Sequence, residues 1–162
     1  MDHIFGINFD CERLADAFGV RVDDICAFMT DGRRASFIIE RRLVWSHPGW
    51  QLAASEGAGY DLSDPDGGRW EVRSITRRGV YFNPSAQVGI GRCFEEIGFL
   101  AKLSAIQGFI LADITLFPVV SVYLVPVANV QRWYAERRLG TRTMVARNVF
   151  LTQLLPDIRH GS

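Results

Sequence analysis

Two runs, "GFILADITLF" (108–117) and "VVSVYLVPV" (119–127), confine the fold more than anything else in this chain. They are rich in β-branched and aromatic residues and almost free of charge, as strands buried in the middle of a sheet are. A sheet with such strands needs helices packed on it. Asp113 is the carboxylate inside the first run. An unpaired charge there would be costly, so an arginine or backbone partner and a structural role are expected. Gly108 to Pro126 is the longest apolar stretch, but Asp113, Pro118 and Ser121 interrupt it, and no charged-then-apolar leader opens the chain. A soluble protein without signal peptide or membrane span is expected. With 162 residues, 48% of them hydrophobic, the chain suits a single domain with its own core.

Elsewhere the pattern changes to helices and one hairpin. "FDCERLADAFGV" reads as a short helix capped by Asp10 and ended by Gly19, with Leu14 and Phe18 on one face. A second helix runs from about Asp23 to Thr30 and stops at Asp31-Gly32. "RRASFIIERRLVW" places Phe37, Ile38, Leu43 and Val44 at near-helical spacing before His47-Pro48-Gly49. "GYDLSD" and "RWEVRSI" flank Pro65-Asp66-Gly67-Gly68 and predict an antiparallel hairpin. "YFNPS" is extended into Pro84. "AQVGIGRCFEEIGFLAKLSAI" then predicts a long helix with Ile90, Phe94, Ile97 and Ala101 on one stripe, and "ANVQRWYAERR" resumes helical spacing after the central strands. The expected class is α/β, a mixed central sheet flanked by helices.

The formal net charge is zero, yet residues 1 to 32 carry seven acids against two arginines, and the remainder is basic by the same margin. An acidic end and a basic body point to a polyanion on one face. Seventeen of the 18 basic residues are arginine, a planar donor suited to phosphate, and the sole lysine is Lys102. Cys11, Cys26 and Cys93, odd in number and widely spaced, fit neither a disulfide framework nor a zinc ligand set. They suggest reduced, mostly buried thiols in a cytoplasm.

The hairpin carries the chemistry. Residues two apart on a strand share a face, so Glu71 and Arg73 project together, and Asp61 on the facing strand reaches the same side if the register allows. Two carboxylates so placed repel each other unless a cation joins them. Magnesium accepts two carboxylates together with waters and a substrate phosphate oxygen. The chemistry implied is metal-assisted phosphodiester hydrolysis, with the water attacking in line. The plainer alternative is a surface hairpin whose charges pair with their neighbours.

The order helix, "GYDL", turn, "WEVRS", helix, "GFILADI", "VYLVP" resembles the PD-(D/E)XK nucleases, the restriction-endonuclease-like superfamily, and most nearly a small type II restriction enzyme. The resemblance covers roughly residues 33 to 135. It implies a restriction-endonuclease-like sheet and a single nuclease-like domain over 1–162, with acidic N-terminal helices in 1–32, a catalytic core in 33–135 and a C-terminal extension in 136–162. By the same resemblance Asp61 and Glu71 are metal ligands for Mg2+, with Mn2+ as a substitute, and Glu40 in "FIIERRL" is the acid from the preceding helix. The implied activity is a Mg-dependent endodeoxyribonuclease acting on double-stranded DNA, as a homodimer in the cytoplasm. Arg73 departs from the pattern, which has lysine there. A guanidinium stays protonated near neutral pH, so it can hold phosphate but not serve as a base. Lys102, on the helix after the hairpin, is the residue that could supply the missing ammonium.

"NPSAQVGIGRCF" sets Ser85, Gln87 and Arg92 around glycines at an expected helix start, where free backbone amides receive phosphate; ordinary capping by Ser85 or Asn83 is the alternative. The pairs Arg33-Arg34, Arg41-Arg42, Arg77-Arg78 and Arg137-Arg138 are candidates for a split DNA-backbone patch, against plain solvated charge. Two other functions stand beside the nuclease. One is a PD-(D/E)XK-like domain that binds DNA without cutting it. The other is a helix-turn-helix repressor built on residues 13–35, opposed by Asp23 and Asp24 at the start of the would-be reading helix.

Overall fold

The computed structural model describes residues 4–55, 58–84, 87 and 93–159. In chain order these form β1 (Ile4–Asn8), α1 (Cys11–Phe18), α2 (Val22–Met29), α3 (Gly32–Ser46), β2 (Gln51–Leu52), β3 (Leu62–Ser63), β4 (Arg69–Ile75), β5 (Val80–Tyr81), α4 (Glu96–Ala105), β6 (Gly108–Asp113), β7 (Val119–Pro126), α5 (Val127–Ala135) and β8 (Met144–Val145). A C-terminal helix follows as α6 (Arg147–Val149), a π turn (Phe150–Leu154) and α7 (Leu155–Arg159).

The main sheet has the order β1-β7-β6-β4-β3-β2, and β5 pairs with β8 in a separate ribbon. Within the main sheet all neighbours are antiparallel except β4 and β6, which run parallel from Trp70↔Gly108 to Ile75↔Asp113. Parallel neighbours need a crossover, and α4 supplies it. The expected class is what forms, a mixed central sheet with helices on both faces.

Every residue of β6 is buried, as its sequence requires. On one face of the sheet Ile75, Phe109, Leu111, Tyr123 and Val125 pack with Phe99 and Leu103 of α4, Trp133 of α5 and Phe150 and Leu154 of the C-terminal helix. On the other, Val72, Ile110, Ala112, Val122 and Leu124 meet Ala35, Ile39 and Leu43 of α3. Gly108 is required at its position, because a Cβ there would lie 2.6 Å from the Trp70 ring and 2.5 Å from the Val125 carbonyl. Asp113 has the partners its burial demands: Arg147 Nε at 2.9 Å and Nη2 at 2.8 Å, with Thr115 N at 3.1 Å and Oγ1 at 2.6 Å.

Several expectations are corrected. β1 was not expected; it forms one edge of the sheet, paired only with β7. α1 has the expected Asp10 cap, which accepts from Arg13 N at 3.1 Å, and the left-handed Gly19. Its buried face, however, is Cys11 and Ala15, while Phe18 points outward. α4 begins only at Glu96 and buries Phe99 and Leu103; Ile97, assigned to the apolar stripe, is 86% exposed. Of the cysteines only Cys11 is buried, Cys26 is half-buried and Cys93 is exposed.

Candidate active site

The site begins with the hairpin turn. Asp64 accepts hydrogen bonds from Asp66 N (3.0 Å), Gly68 N (2.7 Å) and the Trp70 indole Nε1 (2.8 Å). One carboxylate thus fixes the turn and the first residues of β4. β3 then pairs only through Leu62↔Trp70 and Ser63↔Arg69 before the chain turns away. At that point Asp61 donates its backbone N–H to Trp70 O (2.9 Å) and accepts Val72 N–H on Oδ2 (2.7 Å). Its side chain therefore takes the strand-edge amide that the short β3 leaves without a partner.

Glu71 and Arg73 share the α4 face of β4, opposite Phe109 and Leu111. Glu71 is only 4% exposed and is held by two cations. Arg73 Nη2 lies 2.5 Å from Oε1, and Lys102 Nζ donates to Oε2. Lys102 also donates to the Gly59 carbonyl at 2.6 Å, and Arg73 to the Asn83 carbonyl at 3.3 Å. The sole lysine reaches this place because α4 docks Phe99 and Leu103 against the same face of the sheet. Gly59 and Asn83 could not be foreseen as partners, since main-chain carbonyls leave no trace in residue identity.

From the other face of the sheet α3 brings Glu40. Its carboxyl is pushed up to about 7, first by burial and then by the Asp61 charge; Arg41 opposes this, Glu71 adds to it and Arg73 again opposes. The Asp61 carboxyl is also raised, by burial and the Glu71 charge, against the pull of the Val72 N–H, Arg73 and Lys102. The three acids named from the sequence thus share one electrostatic field with Arg73 and Lys102. Among the described residues no group of three or more His, Cys, Asp and Glu stands close enough to hold a metal ion together. A metal here would have two protein carboxylates, Asp61 and Glu71.

Two buried polar atoms beside the site, Arg73 Nε and Asn83 Oδ1, have no hydrogen-bond partner among the described residues.

The residues expected to touch phosphate separate. Ser85 and Arg92 lie outside the described residues, as does the side chain of Arg33. Gln87 lies upstream of α4 and is occupied: Oε1 accepts from Glu95 N and Nε2 donates to Glu95 O, both at 3.2 Å. Its expected place at a helix start is corrected, because the helix opens at Glu96. Arg34 contacts Asp31 at 3.6 Å and lies over the Phe28 ring, on the outer side of α3. Arg77 and Arg78 are exposed in the turn between β4 and β5. Arg138 is tied to Asp157 at 2.5 Å and to the Gln153 carbonyl at 2.9 Å.

Among the described residues no helix is long and apolar enough to cross a membrane. No protein-family model matches the chain, and neither does any curated protein or any solved structure.

Proposed function

We propose that this chain is a magnesium-dependent endodeoxyribonuclease of the PD-(D/E)XK kind, a type II restriction enzyme in its chemistry, hydrolysing phosphodiester bonds of double-stranded DNA. The observation that carries the reading is the meeting of Arg73 and Lys102 on Glu71, beside Asp61. This chain has Arg73 where the pattern has lysine, and an ammonium arrives at the same carboxylate from α4 instead.

The donors suit magnesium. They are hard oxygens, and Asp61 uses only Oδ2 in its hydrogen bond to Val72. Each Glu71 oxygen meets one cation and keeps a further lone pair for coordination. Asp61 and Glu71 would hold the magnesium, which would supply Lewis-acid polarisation of a phosphate oxygen. The chain's own groups do the rest. Arg73 and Lys102 present positive charge to the non-bridging oxygens of the scissile phosphate. Glu40, half-ionised near neutral pH, is suited to take a proton from the attacking water. Cutting both strands takes two such sites, so a homodimer belongs to the proposal.

A second reading has one observation in its favour. Glu71 is already neutralised by two cations, which suits a domain that binds DNA and has ceased to cut it. The repressor reading has less, because Asp23 and Asp24 open α2, where among the described residues their ion pairs are with Arg21.

Digestion of unmethylated plasmid with magnesium or manganese separates these readings. Discrete fragments are expected, absent with chelator, with Asp61→Ala and with Lys102→Met. Retained DNA binding without cleavage under every metal condition would leave the silent domain standing.

A further inference from the structure

α3 carries an exposed stripe that the hydrolytic site does not use. Phe37, Arg41 and Trp45 stand at i, i+4 and i+8, on the side of the helix opposite buried Ala35, Ile39 and Leu43. Trp45 is 81% exposed and Phe37 53%. Exposed aromatics of this size are unusual on a helix that already has an apolar face in the core. Each is attended by a guanidinium: Arg41 lies 3.4 Å from the Phe37 ring centroid and Arg42 5.4 Å from that of Trp45. The acid nearest Arg41 is Glu40, at 3.9 Å, beyond hydrogen-bond range. The stripe is therefore cationic as well as aromatic.

We infer that the outer face of α3 binds single-stranded nucleic acid, with bases stacked on Phe37 and Trp45 and a phosphate between them on Arg41. Eight residues of helix set the Cα atoms of Phe37 and Trp45 about 12 Å apart along the axis, and the Arg41 guanidinium, which starts between them, lies on the Phe37 ring. Alternation of stacking surface and positive charge matches a strand whose bases are free, and does not match a duplex, whose base faces are hidden. The ligand class rests on the nucleic-acid reading of the hydrolytic site; the stripe itself does not.

The test is binding of fluorescein-labelled dT12, and of a duplex of equal length, to the full chain in chelator at low salt, followed by anisotropy. Trp45 also reports directly through its fluorescence, because Trp50, Trp70 and Trp133 are buried. dT12 is expected to quench Trp45. Phe37→Ala and Trp45→Ala should each weaken dT12 binding by about 5- to 150-fold, the range measured for losing one stacked base. Duplex binding and melting temperature should hardly change. No binding of dT12, or unchanged binding in both aromatic variants, would overturn the inference. So would a dimer-to-monomer change in those variants with oligonucleotide affinity retained, which would assign the stripe to a second copy of the chain. Cleavage without stripe binding refutes only this inference, and stripe binding without cleavage refutes only the catalytic reading.

Discussion

Glu40 lies 20% exposed on α3, beside Asp61 and within the field of Glu71, and its carboxyl is pushed up to about 7 by burial and by those two charges, against Arg41 and Arg73. The unfolded chain releases this proton near the ordinary glutamate value, so the folded state binds the proton more tightly. Stability from Glu40 is complete below that ordinary value and is lost as pH rises through about 7. Glu40→Gln removes the dependence. In urea unfolding the variant should match the parent near pH 4, then exceed it increasingly up to pH 8, by about 1–2 kcal/mol after solvent screening is allowed for. A constant difference across that range would mean that Glu40 does not titrate upward. Magnesium at Asp61 and Glu71 would draw the Glu40 carboxyl back down by its charge, so the pH-dependent gap should narrow when the metal is added.

At the level of the element, the hairpin formed by β3 and β4 sets the site, and Asp64 sets the hairpin. Asp64→Ala removes acceptors from Asp66 N, Gly68 N and the half-buried Trp70 indole at once. A loss of about 2–4 kcal/mol is expected in chemical denaturation, together with loss of the proposed cleavage, because the register that places Glu71 toward Lys102 is no longer pinned. A variant that stays fully stable yet inactive would instead give Asp64 a direct part in the reaction. This hairpin was legible because its information is local: turn residues, period-two spacing and both carboxylates fall within twenty positions. α4 was misread because the apolar period was started at Ile90, whereas the helix opens at Glu96 and buries Phe99 and Leu103. Strand β1 was missed for another reason. Gly6 and Asn8 dilute its β signal, and its partner β7 lies more than a hundred residues away.

Across the whole molecule, the site depends on contacts remote in sequence. Lys102 meets Glu71 because α4 crosses between parallel β4 and β6, and α4 stays on the sheet because α5 and the C-terminal helix pack around it. The sequence marked Lys102 as the sole lysine, on the helix after the hairpin, and the resemblance made it a candidate for the missing ammonium; the contact with Glu71 is a property of topology, which residue spacing does not encode. The segment after residue 135 read as an extension, yet Phe150, Leu154, Leu155 and Ile158 are buried in the larger core cluster. Arg147 also holds the buried Asp113 carboxylate. Ending the chain at Ala146 would uncover the face of the sheet that carries Glu71 and leave Asp113 without its cation. Removing one partner of a buried ion pair alone costs about 3–5 kcal/mol, and each large core side chain lost adds about 2–5. Those losses together exceed the roughly 5–15 kcal/mol by which a domain of this size is stable. The truncated chain should show no cooperative melting in circular dichroism. Arg147→Met alone should still fold, with a lowered midpoint. A truncated chain that melts cooperatively would mean that α4 and Lys102 are held by the sheet without the C-terminal helix.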